Sequence, residues 1–588
     1  MKKLNLKTKI KKLFLLISLV FICLVVSSCD EETKTLVKIS AELESSEVIL
    51  EEFNYSDIMV KLIYDDYSVE KIELSKEMLN ESDLSKLSTV GTHNITIKYQ
   101  EFTTVLNITI IDKAMDESFV LTIFELNDTH GHIEQSDKGL GGLSNTAQII
   151  EDTRNKNNLD DVLLIANGDM FQGTAISNLT EGKAVVDAMN EMNFDMMGIG
   201  NHEFDWGLDK ILKFFDGDLN NSEANFPLLN ANIYEKSTNK LLLLDSNKMF
   251  ESIIVKKEGI NVGLVSFIDD LEGSINASVF APYMIKTDIE AKAKRICSNL
   301  KDQGADVIVV NVHGGNSGSV NDFYINNILS GITYNGEYLV DAIINGHTHT
   351  KQKGYIQRND DVSVPVVQSS GNNKSIGRIE LTVDTNTKDV TSANVVNVDV
   401  NNTSFNSHVE EVIDYYTDFV GNDAFCTAGE SISSEKALGA WASAVLKQAT
   451  GADVAILNSG GIRSSGNINK GDKININNVY EICPFNNQIY TCLVKGSDIY
   501  RLIGNSKYYY YSSKNDISYY KNNNNYYLVS VVDYVYNGGY FVNNKDAILE
   551  ELYLTDLLVE ELKLQDLFYV SKLDNILIEK KVDRWWEQ

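Results

Sequence analysis

The sequence predicts a multidomain α/β protein with a small all-β unit at its front, and three observations lead there. A chain of 588 residues, 43% of them hydrophobic, is too long for one core. From about Phe119 onward, apolar runs of the buried-strand type end in small clusters of Asp, Asn, His and Gly, and helical patterns follow them. Residues 36–112 differ: short β-rich runs alternate there with polar turns.

At the N-terminus, Lys2, Lys3, Lys7, Lys9, Lys11 and Lys12 form a basic leader ahead of an apolar stretch of 14 residues, Leu13 to Val26. That stretch is short for a membrane span and right for the hydrophobic part of an export signal. It ends in Val26-Ser27-Ser28-Cys29, which resembles a bacterial lipoprotein signal. The resemblance implies a signal peptide over 1–28, lipidation of Cys29, and a mature protein held on the outer face of the cell membrane. The plain alternative is a signal peptide cut nearby with Cys29 incidental; both readings imply export. No later run reaches 18 apolar residues.

The runs Val48-Ile49-Leu50, Ile58 to Ile63 and Asn94 to Tyr99, the last with period-two alternation, predict a β-sandwich over 36–112. The segment Gly91 to Ile110 is similar to bacterial immunoglobulin-like domains. An α/β domain is expected over 117–400, on strands such as Phe119 to Ile123, Val162 to Ala166, Val307 to Val310 and Ala342 to Ile344. A helical connector, 401–420, leads to a second α/β domain, 421–588, with a helix over Ala437 to Ala449 and a strand over Val454 to Leu457. The tyrosine- and asparagine-rich stretch Lys507 to Tyr527 reads as a loop or insertion.

The net charge of -31 opposes capture of nucleic-acid polymers or anionic membrane surfaces, so an anionic small molecule would need locally gathered positive charge. Beyond Cys23 and Cys29, the cysteines Cys297, Cys426, Cys483 and Cys492 are too scattered for a disulfide framework or a zinc-thiolate site.

Six of the eight histidines fall in four blocks at strand ends: Asp128-Thr129-His130-Gly131-His132, Gly200-Asn201-His202-Glu203, Val312-His313-Gly314-Gly315 and Gly346-His347-Thr348-His349. A fifth block, Asn167 to Gly173, adds Asp169. Imidazole and oxygen donors with almost no sulfur suit two divalent ions, Zn, Mn, Co, Mg or Fe. Two such ions fit phosphate-ester chemistry, since one lowers the pKa of an attacking water and both neutralise charge growing on the phosphoryl oxygens.

In this order the blocks resemble the calcineurin-like metallophosphoesterases, and among them the 5′-nucleotidase and UDP-sugar hydrolase family. The resemblance implies a four-layer αββα domain in which Asp128, His130, Asp169 and His349 hold one metal and Asp169, Asn201, His313 and His347 the other. His202 would face the scissile phosphate, with Asp205 fixing its tautomer. His132 would stand behind the ligands. Downstream, Gly451 to Ala455, Asn458 to Arg463 and Pro484 to Asn487 resemble the family's C-terminal domain. There Arg463 would grip phosphate, Phe485 and Tyr534 would stack on the base, and Asn458 and Asn487 would add polar contacts. Two features depart from the family pattern. Gly538-Gly539-Tyr540 lacks an expected aspartate, and Ala428 to Lys436 carries Glu430, Glu435 and Lys436 where arginines are expected.

These readings point to a small-molecule nucleotide as substrate. A 5′-nucleotidase leads, with a 2′,3′-cyclic-nucleotide phosphodiesterase or a UDP-sugar pyrophosphatase as alternatives. From a different class comes a surface adhesin or scaffold carrying an inactive enzyme domain; the complete ligand set speaks against it.

Overall fold

The computed structural model describes residues 34–582 apart from 44–46, 51–52, 67, 112–117, 137–138, 140, 157–161, 219–221, 258, 402–403, 464–467, 505–507 and 542. The expected signal segment and Cys29 lie outside the described residues. Two compact units divide the chain, Met1–Asp116 and Glu117–Gln588. Among the described residues no helix is long and apolar enough to cross a membrane.

The first unit consists of two three-stranded sheets. One pairs Ile58–Tyr64 with Leu36–Leu43 and Val69–Glu73; the other pairs Phe102–Ile111 with Glu47–Ile49 and Gly91–Tyr99. Alternation decides which faces meet: Ile95 and Ile97 are buried while Asn94, Thr96 and Lys98 between and beside them are exposed. Those isoleucines join Ile39, Val60, Leu62, Ile108 and Ile110 in one core. Each such burial stabilises by roughly 1.5 to 3 kcal/mol.

The second unit opens with two larger sheets. The first has seven strands, in the order Met249–Phe250, Leu228–Leu229, Met196–Gly198, Val162–Asn167, Ser118–Leu126, Ser375–Asp384 and Val390–Asp399. The second has six: Ser252–Lys257, Ile260–Ile268, Val307–His313, Ala342–Ile344, Ser363–Gln368 and Gln352–Gln357. Strands central to both sheets pair in parallel, and their near-continuous apolar sequences follow from burial on both faces. Three cores then stack. One lies between the sheets, where Leu121, Leu163 and Ile165 meet Val262, Leu264, Val309 and Ile344. The first sheet's other face packs on helices such as Lys183–Met192, and the second sheet's other face packs on Ile289–Asp302. Helices, sheet, sheet and helices form the four layers that the sequence implied.

The expected connector is the helix Ser407–Val420, started by the Asn406 side chain, which accepts hydrogen bonds from the backbone of His408 and Val409. Its Val409, Ile413 and Tyr416 enter the first sheet's helical core, and the Tyr416 hydroxyl accepts from Lys183 Nζ at 2.6 Å. By packing, this helix belongs to the phosphoesterase-like layers.

The remaining chain forms a five-stranded sheet in the order Tyr509–Ser513, Val454–Asn458, Tyr526–Val532, Gln488–Lys495 and Lys545–Tyr553. Its helix Glu435–Thr450 starts at a Ser434 cap and stops at Gly451, whose φ of 66° suits glycine. The stretch expected to be a loop or insertion is a loop only in its middle, around the short 3-10 helix Ile517–Tyr520: Tyr509–Ser513 pairs antiparallel with Val454–Asn458, and Tyr526 opens the strand Tyr526–Val532, which lies between two strands. Tyrosine is a good strand former on a half-buried pleat, so low complexity here does not mean absence of structure. Leu163, fully buried between the two large sheets, is expected to cost about 2 to 5 kcal/mol of unfolding free energy when cut to alanine, measured by denaturant titration.

Candidate metal centre and active site

All five blocks meet at the carboxyl ends of the parallel strands, where α/β sheets place their sites. The first sheet contributes the turns after Ser118–Leu126, Val162–Asn167 and Met196–Gly198; the second contributes the end of Val307–His313 and the turn after Ala342–Ile344. Asp128, His130, Asp169, His347 and His349 all hold left-handed backbones, with φ of 51°, 50°, 54°, 73° and 54°. Such conformations cost a non-glycine residue roughly 1 to 3 kcal/mol each and persist where surrounding structure and function hold them. Gly168 is required by close approach: a Cβ there would stand 2.5 Å from the Gly200 amide nitrogen and 2.8 Å from His313 Nδ1.

Two donor groups flank Asp169. On one side His130 Nε2 and His349 Nε2 lie 3.0 Å apart, with Asp128 Oδ1 3.5 Å from His349 Nε2 and 4.0 Å from His130 Nε2. On the other, Asn201 Oδ1 is 2.8 Å from His347 Nδ1 and 3.3 Å from His313 Nε2, and His313 Nε2 is 3.1 Å from Asp169 Oδ2. Asp128 Oδ1 and Asp169 Oδ2 are buried and accept no hydrogen bond. Backbone carbonyls fix the tautomers: His130 Nδ1 donates to Gln172 O at 2.9 Å and His313 Nδ1 to Asn167 O at 2.7 Å, which turns both Nε2 atoms inward.

The charge pattern fits divalent cations. Burial keeps the His347 and His349 imidazoles down at about 4 and holds His130 well below its ordinary value, so all three present neutral lone pairs. Burial would also depress His313, but the Asp169 and Asp128 carboxylates overrule it and raise the ring to about 10. Burial raises Asp128 to about 7, whereas the facing His313 and His202 rings overrule burial at Asp169 and hold it well below the carboxylate range. Buried carboxylates drawing protons onto a neighbouring ring are what a cation-binding donor set shows when protein charges alone must balance.

His202 stands beside this set; its donor atom and those of His130 and Asp169 lie within 4.8 Å of one another. His202 Nδ1 meets Asp205 Oδ2 at 2.7 Å. Burial lowers the His202 pKa, and the Asp205 and Asp169 charges more than offset that, raising it to about 9. His132 takes no part in the donor clusters; burial, with Lys374 and His349 nearby, brings it to about 4.

Glu203 is the residue whose sequence signal was overlooked. Fully buried, its carboxylate accepts the backbone N–H groups of Asp169 and Met170, both at 2.8 Å, and of Gly200 at 2.7 Å. It thereby ties the Asp169 turn to the Asn201–His202 turn. Its place within Gly200-Asn201-His202-Glu203 was the only available clue.

The second domain closes over the centre. The Pro484 carbonyl accepts from Gln172 Nε2 at 2.6 Å and Asn178 Nδ2 at 2.7 Å. Phe485 stacks on His202 with ring centroids 5.7 Å apart, and the Arg463 guanidinium lies 5.7 Å from the Phe485 centroid. Asn458 and Tyr534 instead line a neighbouring cavity of about 720 Å³, and Phe485 is not among its lining residues. Asn487 sits at the head of Gln488–Lys495, where its carbonyl accepts the Leu554 N–H at 3.0 Å. Glu430 is turned to Ser571, and Glu435 accepts from the Tyr510 hydroxyl at 2.6 Å.

With this arrangement described, the comparisons are specific. Residues 121–351 match the calcineurin-like phosphoesterase family and residues 417–540 match the 5′-nucleotidase C-terminal domain. Among curated relatives, the endonuclease YhcR of Bacillus subtilis is 26% identical over 425 residues, covering 66% of this chain and 33% of that protein. A 5′-nucleotidase of Vibrio parahaemolyticus is 30% identical over 203 residues, 34% of each chain. The chain thus spans about a third of the length of these relatives. The fold is shared with the 5′-nucleotidase precursor of Thermus thermophilus, at a TM-score of 0.61 and 20% identity, covering 77% of this chain and 97% of that one. The fold and the site define a calcineurin-like phosphoesterase domain joined to a 5′-nucleotidase C-terminal domain. The chain is a metal-dependent phosphoesterase of the 5′-nucleotidase type.

Replacing Glu203 by Gln removes one of two acceptor oxygens serving three amides. Divalent-metal affinity, read by calorimetry, is expected to fall about 10- to 100-fold with the fold intact by circular dichroism. In metal-free protein the His202 ring is expected to stay protonated up to about pH 9. Asp205→Asn should move that titration to lower pH by NMR, because the carboxylate is what holds the proton.

Proposed function

We propose that the chain is an exported, lipid-anchored, metal-dependent phosphohydrolase that releases phosphate from nucleoside 5′-monophosphates. The observation that carries this reading is the convergence of Asp128, His130, His349, Asn201, His313 and His347 on the two sides of the buried Asp169. When bound, two divalent cations would activate an attacking water and neutralise charge on the phosphoryl oxygens. Asp128, His130, Asp169 and His349 would hold one; Asp169, Asn201, His313 and His347 the other.

The chain's own residues do the rest. His202, oriented by Asp205, carries the proton that stabilises charge growing on the phosphoryl group. Arg463 supplies a guanidinium fork for the remaining phosphate oxygens. Phe485, lying on one face of His202, keeps that face dry and strengthens the electrostatics. Asn458 and Tyr534 line the adjoining cavity, which receives the nucleoside. Asn487 would add a polar contact to the nucleoside.

Cys29, at the end of the lipoprotein-like leader, is the proposed lipid attachment on the outer face of the membrane, and the two-sheet unit ahead of residue 117 an immunoglobulin-like spacer. Purified protein with Mn, Zn or Co is expected to release phosphate from AMP, to stop on chelation, and to lose at least about a thousandfold in kcat when Asp169 is replaced by Asn. Faster turnover of 2′,3′-cyclic AMP or UDP-glucose than of AMP would replace the 5′-nucleotidase reading with the corresponding alternative. No hydrolysis of any ester would reject it.

A further inference from the structure

The cavity beside the metal centre is built for more than an uncharged nucleoside. Its volume of about 720 Å³ lies in the upper part of the range for small-molecule sites. Tyr508, Tyr509, Tyr534 and Tyr540 all line it, with Asn458 at its wall and Arg501 as a cation. Tyr509 and Tyr540 meet edge to face at 6.1 Å, so the aromatic surface is continuous across two chain segments. Arg501 projects from the helix Gly496–Ile503, its side chain 64% exposed and its one recorded ion pair, with Asp498, long at 3.4 Å. An ion pair of that kind leaves most of the guanidinium fork available to an anion.

The sequence around the cavity points the same way. None of the residues lining it is Asp or Glu, and its one lining cation, Arg501, is paired with Asp498 at its edge. Arg463 stands at the metal centre and Arg501 lines the cavity, so two guanidinium groups serve two places. Beside Arg501 lie the tyrosine rings, whose faces attract flat aromatic groups at roughly 1 to 3 kcal/mol per stacked base.

Resting on the phosphohydrolase reading, we propose that the cavity is a subsite for a leaving nucleoside that itself bears a second phosphate, held by Arg501 and packed on Tyr508, Tyr509 and Tyr540. The preferred substrates are then nucleotides phosphorylated at both ends of the nucleoside, with a free terminal phosphate or a phosphodiester at the distal end.

The test compares the Mn-loaded full chain on AMP, adenosine 3′,5′-bisphosphate and 5′-phosphorylated ApA. Wild-type protein is expected to show kcat/KM at least tenfold higher for the bisphosphate than for AMP. Arg501→Gln should bring that ratio close to one, and Arg501→Lys should restore part of it. A ratio near one in the wild type, or a ratio unchanged in Arg501→Gln, overturns the subsite. If the bisphosphate exceeds phosphorylated ApA, the anion is a terminal phosphate; the reverse order assigns it to a nucleotide chain, and either order supports the subsite. Calorimetric binding of AMP and the bisphosphate repeats the comparison without turnover. Protein that hydrolyses neither compound yet loses bisphosphate affinity in Arg501→Gln would therefore reject the phosphohydrolase reading and keep the subsite.

Discussion

The burial of the Asp169 carboxylate at the junction of two sheets is the constraint on which the rest of the centre depends. A buried carboxylate is costly unless charge and hydrogen bonds surround it. Here the His202 backbone N–H reaches Asp169 Oδ1 at 2.7 Å, His313 faces Oδ2 from the second sheet, and Glu203 anchors the residue's own amide. Meeting those demands brings three turns of one sheet and two of the other to a common point. The left-handed backbones at five donor residues follow from the same crowding, since extended or helical turns would carry the side chains past it.

The second domain completes rather than merely neighbours this centre. Its Pro484 carbonyl is held by two side chains of the first domain, and Asn276 adds a further tie to Asp533 and Asn537. The connector helix is seated in the first domain's core through Val409, Ile413 and Tyr416 and ends at Gly421. Phe485 lies on the His202 ring, and Tyr508, Tyr509, Tyr534 and Tyr540 line the neighbouring cavity.

Electrostatics separates the chain into two regimes. The net charge of -31 repels anions at long range, yet the cavity is lined by no acidic residue and by Arg501, while Arg463 lies beside Phe485. Local charges count most where walls of low dielectric strengthen them.

By itself the sequence determined the α/β class, the five donor blocks and their order, because buried parallel strands are written as apolar runs and their ligand-bearing ends as compact Asp, Asn, His and Gly clusters; the four layers came from the resemblance those blocks carry. It also placed the helices Ser407–Val420 and Glu435–Thr450 to within a few residues. Only the tertiary structure decided that Glu203 clamps two turns, that the tyrosine-rich stretch carries strands at both ends, and that Phe485 lies on His202. Each of these depends on which distant backbone amide, strand edge or ring arrives beside the residue. Such neighbours, more than 30 positions away for Glu203 and Asp169 and 283 for His202 and Phe485, leave no local pattern in the chain.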